Sequence, residues 1–268
     1  SSFWLKVNIN LKFKPKDTHL LLINPPLLDE VEFYALGDNN QVLKTTITGD
    51  TYSFKQRDVS HRRFLFKIKP SESTSFLIKL KSTTYIPINL TFLNQKSFID
   101  NEIQESLLYG VFLGVSLLLI ILHLSIFLAR KEQGSLFYSL YIFCFNLIPL
   151  STSGFGFQVI YPNLPEFNQV AHVCFMAVTS LSIYFFLNAF FNVDKNERLN
   201  KIRMFVVFLW VIPLTLTFFQ KLDMMRVTSH LLVFANFVLF CLLIARYWKE
   251  KKRESKIFFI AFGCLIIG

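Results

Sequence analysis

The densest group of chemically capable side chains lies in residues 49–64, GDTYSFKQRDVSHRRF, where Asp50, Tyr52, Arg57, His61 and Arg62 bring carboxylate, phenol, guanidinium and imidazole into one connection. That mixture suits hydrogen-bonded recognition of a polar ligand, and connections carry such contacts more often than regular elements do. These five residues are the candidate ligand contacts. The plainer alternative is a solvated loop with arginine and aspartate paired across it. A second group comprises His123, His172 and His230, all inside apolar runs, which invites a metal or haem reading. Depth argues against a three-ligand site: His172 and His230 lie about one turn from one end of their runs and His123 near the opposite end, at about 1.5 Å per residue. At most two could meet, so Gln158, His172 and His230 are kept as candidates for a bundle pocket, with no metal and no cofactor expected. No catalytic motif occurs, and the chain reads as a non-enzyme.

The elements that must position these residues fall into two kinds. Residues 3–13, FWLKVNINLKF, alternate apolar and mostly polar positions, the period of a half-buried strand. Further strand-like runs follow at 19–23, 31–36, 42–47, 64–69, 75–81 and 88–93, separated by Pro25-Pro26, by Gly37-Asp38-Asn39-Asn40 and by Pro70-Ser71-Glu72-Ser73. Many short strands without a helical period predict an antiparallel jelly-roll sandwich over residues 1–100. Because the chain opens directly on a strong strand, the first strands of that sandwich are expected to be missing.

From residue 101 to 268 the chain is of another kind. Residues 106–129 run 24 positions without Asp, Glu, Lys or Arg, long enough for a bilayer's hydrocarbon core, which needs about 20 apolar residues. Further spans are predicted at about 135–157, 167–191, 204–220 and 227–245. Residues 257–268 are too short to cross and are read as a truncated sixth span. The loops after the first, third and fifth spans hold twelve Lys and Arg, and the alternate loops only Lys221 and Arg226, which places the former in the cytoplasm and the sandwich outside. The five complete spans carry no charged residue, which counts against ion-coupled transport. The connection 154–165, with Gly154, Gly156, Pro162 and Pro165 fixing its backbone, is expected to face the sandwich.

Composition agrees: 53% of the residues are hydrophobic and 32 are Phe. The formal net charge of +10 is spread over topological loops rather than one patch, since residues 1–105 hold 14 Lys and Arg against 11 Asp and Glu, so nucleic acid is not an expected partner. All four cysteines, Cys144, Cys174, Cys241 and Cys264, fall in apolar runs, which leaves the exported part without a disulfide framework.

Particular residues also carry a resemblance. Asn24-Pro25-Pro26-Leu27-Leu28-Asp29-Glu30-Val31-Glu32-Phe33-Tyr34, then Gly49-Asp50, His61-Arg62 and Leu77-Ile78-Lys79-Leu80-Lys81-Ser82, resemble the type 2 extracellular domain of bacterial seven-transmembrane receptors with diverse intracellular signalling modules. Tyr109-Gly110-Val111-Phe112-Leu113-Gly114, Phe137-Tyr138, Gly156-Phe157-Gln158 and Tyr161-Pro162 are similar to that family's membrane region, with Tyr161 where the family has Trp. The resemblance implies a carbohydrate-binding-like jelly roll, seven helices, and a cytoplasmic effector such as a kinase, cyclase or phosphatase that this chain lacks. Outputs of that kind work in pairs, which makes a homodimer a candidate assembly.

The resulting expectation is a multi-pass receptor of a bacterial inner membrane that binds an extracytoplasmic small molecule or saccharide and signals inward. Trp4, Tyr34, Tyr52 and Tyr85 are the rings on which a sugar could stack. The alternatives are a transporter or channel subunit, and a receptor for an envelope protein.

Overall fold

The computed structural model describes residues 2–8, 19–37, 40–68, 75–82, 87–193, 197–219 and 221–248. The apolar run 257–268, Cys264, Tyr85 and the second half of the 3–13 strand lie outside the described residues. Strands β1 (Ser2–Asn8), β2 (His19–Asn24), β3 (Glu30–Leu36), β4 (Val42–Thr48), β5 (Phe64–Ile68), β6 (Ser75–Lys81) and β7 (Asn89–Asn94) precede helices α1 (Gln95–Arg130), α2 (Gln133–Thr152), α3 (Pro165–Phe191), α4 (Arg198–Phe208), α5 (Val211–Phe218) and α6 (Leu222–Tyr247). An N-terminal antiparallel sandwich followed by long apolar helices is thus the architecture. The chain divides into two compact units, one of residues 1–115 and 146–172, the other of 116–145 and 173–268.

The first unit holds two sheets, in order β1-β6-β3-β4 and β5-β2-β7, all pairings antiparallel. Alternation sets what faces inward. Val31, Phe33, Phe76, Ile78 and Leu80 of the larger sheet meet Leu21, Ile23, Phe64, Phe66 and Ile68 of the smaller one in a closed core. Phe33 stacks on Phe66 with ring centroids 4.5 Å apart. The outer face of the larger sheet carries Trp4, Glu32, Tyr34 and Lys79, as a period of two requires. The smaller sheet is different. Its second face, Leu20, Leu22 and Leu65, packs against Val59, Leu93 and Phe98, so β2 is covered on both sides and reads as an unbroken apolar run, LLLI.

Helix α1 starts at Gln95, directly where β7 stops and well upstream of the apolar run that begins at residue 106. Asn94 Oδ1 accepts the Ser97 backbone N–H at 2.7 Å, an N-cap that lets the chain turn directly from strand to helix. The predicted second span is shorter than expected. Gly154, at φ +84°, supplies the left-handed residue that ends α2, and a π-helical turn, Gly156–Ile160, follows.

In the second unit the core joins Phe186, Leu187 and Phe191 of α3 to Phe240, Leu243 and Tyr247 of α6. The fourth span is two helices rather than one. Pro213 has no N–H for the Leu209 carbonyl, and the break between α4 and α5 falls at Leu209–Trp210, one turn upstream of the ring. Among the described residues, five stretches are long and apolar enough to cross a membrane, with α4 and α5 counted together.

Candidate functional site

Within the first unit the β4–β5 connection does not float over the sandwich. It enters through Gly49, where a Cβ would stand 2.1 Å from the Asp29 carbonyl oxygen, so only glycine lets the two backbones approach. The Asp50 N–H then donates to the Leu28 carbonyl at 2.8 Å. A short 3-10 turn, Phe54–Gln56, points its first N–H at the Pro162 carbonyl, 3.2 Å away. Phe54 meets Phe157 edge-on at 5.6 Å. Gly154 lies under the same loop: a Cβ there would be 2.6 Å from the Arg62 carbonyl oxygen. The connection 154–165 therefore docks on the sandwich.

Arg57 is the hub of this loop. It is 8% exposed, donates from Nη1 to the carbonyls of His61 (3.0 Å) and Arg62 (2.8 Å), and lies 4.4 Å over the Phe64 ring and 4.9 Å over Phe54. Burial pulls its pKa down to about 10 against the opposing pull of the Asp50 charge, so it stays a cation at neutral pH. Two turns into α1, Glu102 and Glu105 sit three residues apart on one helical face. Glu102 meets Arg62 at 3.2 Å and His61 Nε2 at 3.0 Å, and also pairs with Arg63; Glu105 meets Arg63 at 3.0 Å and pairs with Arg62. Arg62 further lies 4.7 Å over the Phe155 ring, whose neighbour Tyr109 it approaches at 5.8 Å.

His61 is neutral here, and its hydrogen bonds say why. Nδ1 accepts the Arg63 backbone N–H at 3.2 Å, which needs a lone pair, leaving Nε2–H to donate to Glu102. Glu102 alone would favour the imidazolium. Burial, with Arg63 and Arg62 beside the ring, outweighs it and pushes the pKa down to about 4.

The five residues expected in one contact site therefore separate. Arg57, His61 and Arg62 come together, Asp50 is buried and acts on Arg57 through its charge, and Tyr52 stands half-buried elsewhere, donating to Glu30 Oε2 at 3.2 Å. Arg63, Glu102 and Glu105 were not among the candidates, although the i, i+3 spacing of the two glutamates was a readable signal. A crevice of about 380 Å³ and mixed polarity adjoins the cluster, lined by Leu22, Asn24, Arg63, Phe98, Asn101 and Glu102 among others. Of the other candidates, His230 is exposed with Nδ1–H donating to the Arg226 carbonyl at 2.6 Å, while Gln158 and His172 are half-buried in the first unit. No cluster of three metal-ligating side chains occurs among the described residues.

A sandwich whose loop is ion-paired to the first of several membrane-length helices is the build of a multi-pass membrane protein with an attached β domain. The 7TM diverse intracellular signalling family matches residues 105–268, and the 7TMR-DISM extracellular 2 domain matches residues 1–94. The chain belongs to the 7TM diverse intracellular signalling family, multi-pass membrane proteins with a sensory and signalling role. No curated protein matches it.

Proposed function

We propose that this chain is the sensing and membrane-crossing part of a bacterial inner-membrane receptor, with its sandwich outside and a cytoplasmic effector as the recipient of the signal. The observation that carries this reading is the ion cluster: His61, Arg62 and Arg63 of the sandwich grip Glu102 and Glu105 of α1, and α1 continues unbroken to Arg130 as the first span. A ligand that reorients the β4–β5 loop would pull directly on that helix. A differential affinity of a few kcal/mol between two orientations is enough to shift the population. In this reading Asp50, Arg57, His61 and Arg62 transmit and Tyr52 remains a candidate contact.

A saccharide is the favoured ligand class. Trp4 and Tyr34 share the outer face of the larger sheet, stacked at 6.2 Å and 25°, and Trp4 is 54% exposed with the Lys79 ammonium 5.6 Å from its ring. Rings flanked by charged hydrogen-bonding groups suit a pyranose. The test is a thermal-shift screen of the full chain against envelope saccharides, since a ligand of the folded state raises the midpoint as its concentration passes Kd. A saturable rise lost in Trp4→Ala supports the outer-face site; loss in Asn101→Leu instead places the ligand in the crevice. No rise with any saccharide overturns the saccharide reading and favours a protein partner.

A further inference from the structure

The second unit contains a groove of about 900 Å³ between α3 and the α4–α5 pair, and most of its wall is apolar: Leu181, Phe185, Met204, Phe208 and Leu214 are representative. In water such a groove would call for a protein partner. Here its walls belong to helices of membrane length, so hydrocarbon rather than water surrounds it.

Most of the polar side chains gather at one end, where Tyr184, Asn188 and Asn200 lie together; the wall also carries Gln133 and the indole of Trp210. The order of their hydrogen bonds is dictated by Arg203, 5% exposed, because a guanidinium can only donate. Arg203 Nη1 donates to Asn188 Oδ1 at 2.7 Å. That turns Asn188 Nδ2 toward Asn200 Oδ1, at 3.0 Å, and the same oxygen accepts from the Tyr184 hydroxyl at 3.1 Å. Asn200, itself 5% exposed and part of the groove wall, is left with its Nδ2 as the terminal donor, for which no described group is an acceptor. The neighbouring carboxylate, Glu197, is engaged by the Tyr247 hydroxyl at 2.8 Å and by Arg246 at 3.4 Å. The polar end thus presents a donor backed by a buried cation, and Arg198 and Lys201 belong to the same turns of α4.

Length agrees with charge. From Asn188 back to Ala177 along α3 is about 16 Å at 1.5 Å per residue. One leaflet's hydrocarbon is about 15 Å deep, half the usual core. The break at Pro213 adds to the shape, since it places Trp210 in the groove wall.

We propose that this groove is the seat of one anionic phospholipid, with its phosphate and ester oxygens accepting from Asn200 at the polar end and one acyl chain lying along Leu181, Phe185 and Met204 toward Trp210. The site is separate from the sandwich and does not depend on what the receptor senses.

Trp210 is the reporter. In the full chain carrying Trp4→Phe and Trp248→Phe, it is the remaining tryptophan of the three. The chain is placed in phosphatidylcholine nanodiscs, and phosphatidylglycerol with brominated chains replaces part of the lipid; brominated phosphatidylcholine is the control. The expected result is half-maximal quenching of Trp210 at a mole fraction of brominated phosphatidylglycerol several-fold below that needed for brominated phosphatidylcholine. Val178 is 46% exposed on the groove wall, so Val178→Phe fills the groove without a packing clash and should abolish the preference. Asn200→Asp keeps the shape and one oxygen that Asn188 Nδ2 and the Tyr184 hydroxyl can still serve, but it turns the terminal donor into a carboxylate oxygen. It should bring the phosphatidylglycerol curve onto the control while quenching persists. Identical curves in the starting chain, a preference that survives both substitutions, or no quenching by either lipid, as a protein occupant would give, overturns the proposal.

Discussion

Both units bury arginine, and they serve it differently. In the first, Arg62 and Arg63 face two carboxylates from α1. In the second, Arg203 is served by the amide of Asn188 and the face of Tyr184, 5.1 Å from its guanidinium carbon. The difference follows from solvent. Glu105 keeps 42% of its side chain exposed, so the first cluster still reaches water and the ions are only partly desolvated. Where the helices enter the bilayer, a carboxylate buried against the cation would have to be desolvated along with it, and neutral amides avoid that second penalty. A paired cluster is a mechanical joint, because its charge is cancelled locally. An amide-served cation still projects positive potential toward whatever occupies the space beyond.

Four substitutions or conditions sharpen that contrast. The largest effect is expected from Arg62→Ala, which strands two glutamates against Arg63 and His61. Because the cluster still reaches water and Arg63 remains, the loss of these charge-assisted hydrogen bonds costs about 3 kcal/mol, to be read from denaturant unfolding of the sandwich by tryptophan fluorescence. An effect below 1 kcal/mol would mean the joint is a surface ornament.

Acid should loosen the same joint. The pKa of His61 in the folded state is about 4, below the ordinary value of 6.5, so folding favours the neutral ring. Its contribution is complete above pH 6.5 and is lost as pH falls from 6.5 toward 4, about 3 kcal/mol over that window. A stability profile between pH 7 and pH 4 in the parent and in His61→Gln measures it, and the variant should lack this component of the slope.

Gly154→Ala comes next. The position combines φ +84° with a would-be Cβ 2.6 Å from the Arg62 carbonyl, and a loss of about 2 kcal/mol is expected from left-handed strain and displacement of the loop together. Undiminished stability with an unchanged docking of the β4–β5 loop would remove that contact from the joint. The smallest effect belongs to Arg203→Met, the counterpart of the first substitution. It leaves only a neutral acceptor, Asn188 Oδ1, unsatisfied, which costs about 1–2 kcal/mol in unfolding measurements of the bundle. A cost as large as that of Arg62→Ala would erase the distinction between the two ways of burying arginine.

Much of the architecture was legible beforehand because it rests on periodicity. Alternation in β1, β3 and β6, and apolar length in α1, α3 and α6, are properties of neighbouring residues, and neighbouring residues are what a sequence displays. The interruption of the fourth span was less legible. Pro213 was visible, but hydropathy averages across it, whereas the hydrogen-bond ladder does not. The candidate site was legible only as a list of reactive side chains. Arg62 and Glu105 lie 43 residues apart, and no local signal says that one docks on the other. In the sequence Arg203 is one of the twelve basic loop residues that report topology, and its burial beneath Tyr184 depends on how α3 and α4 cross.

What the sequence by itself determined is the medium of each part: which residues go to a sandwich core, which to hydrocarbon, and the family to which both belong. Those follow from the free energy of transferring side chains between water and apolar surroundings, which each residue carries with it. Tertiary structure alone decided the use of the charges. It set Arg62 and Arg63 of the β4–β5 loop against Glu102 and Glu105 of α1, and it lined three hydrogen bonds from Arg203 and Tyr184 up to Asn200 on the groove wall. A charge's role depends on the distance and hydration of its partners, and those exist only once distant segments have packed.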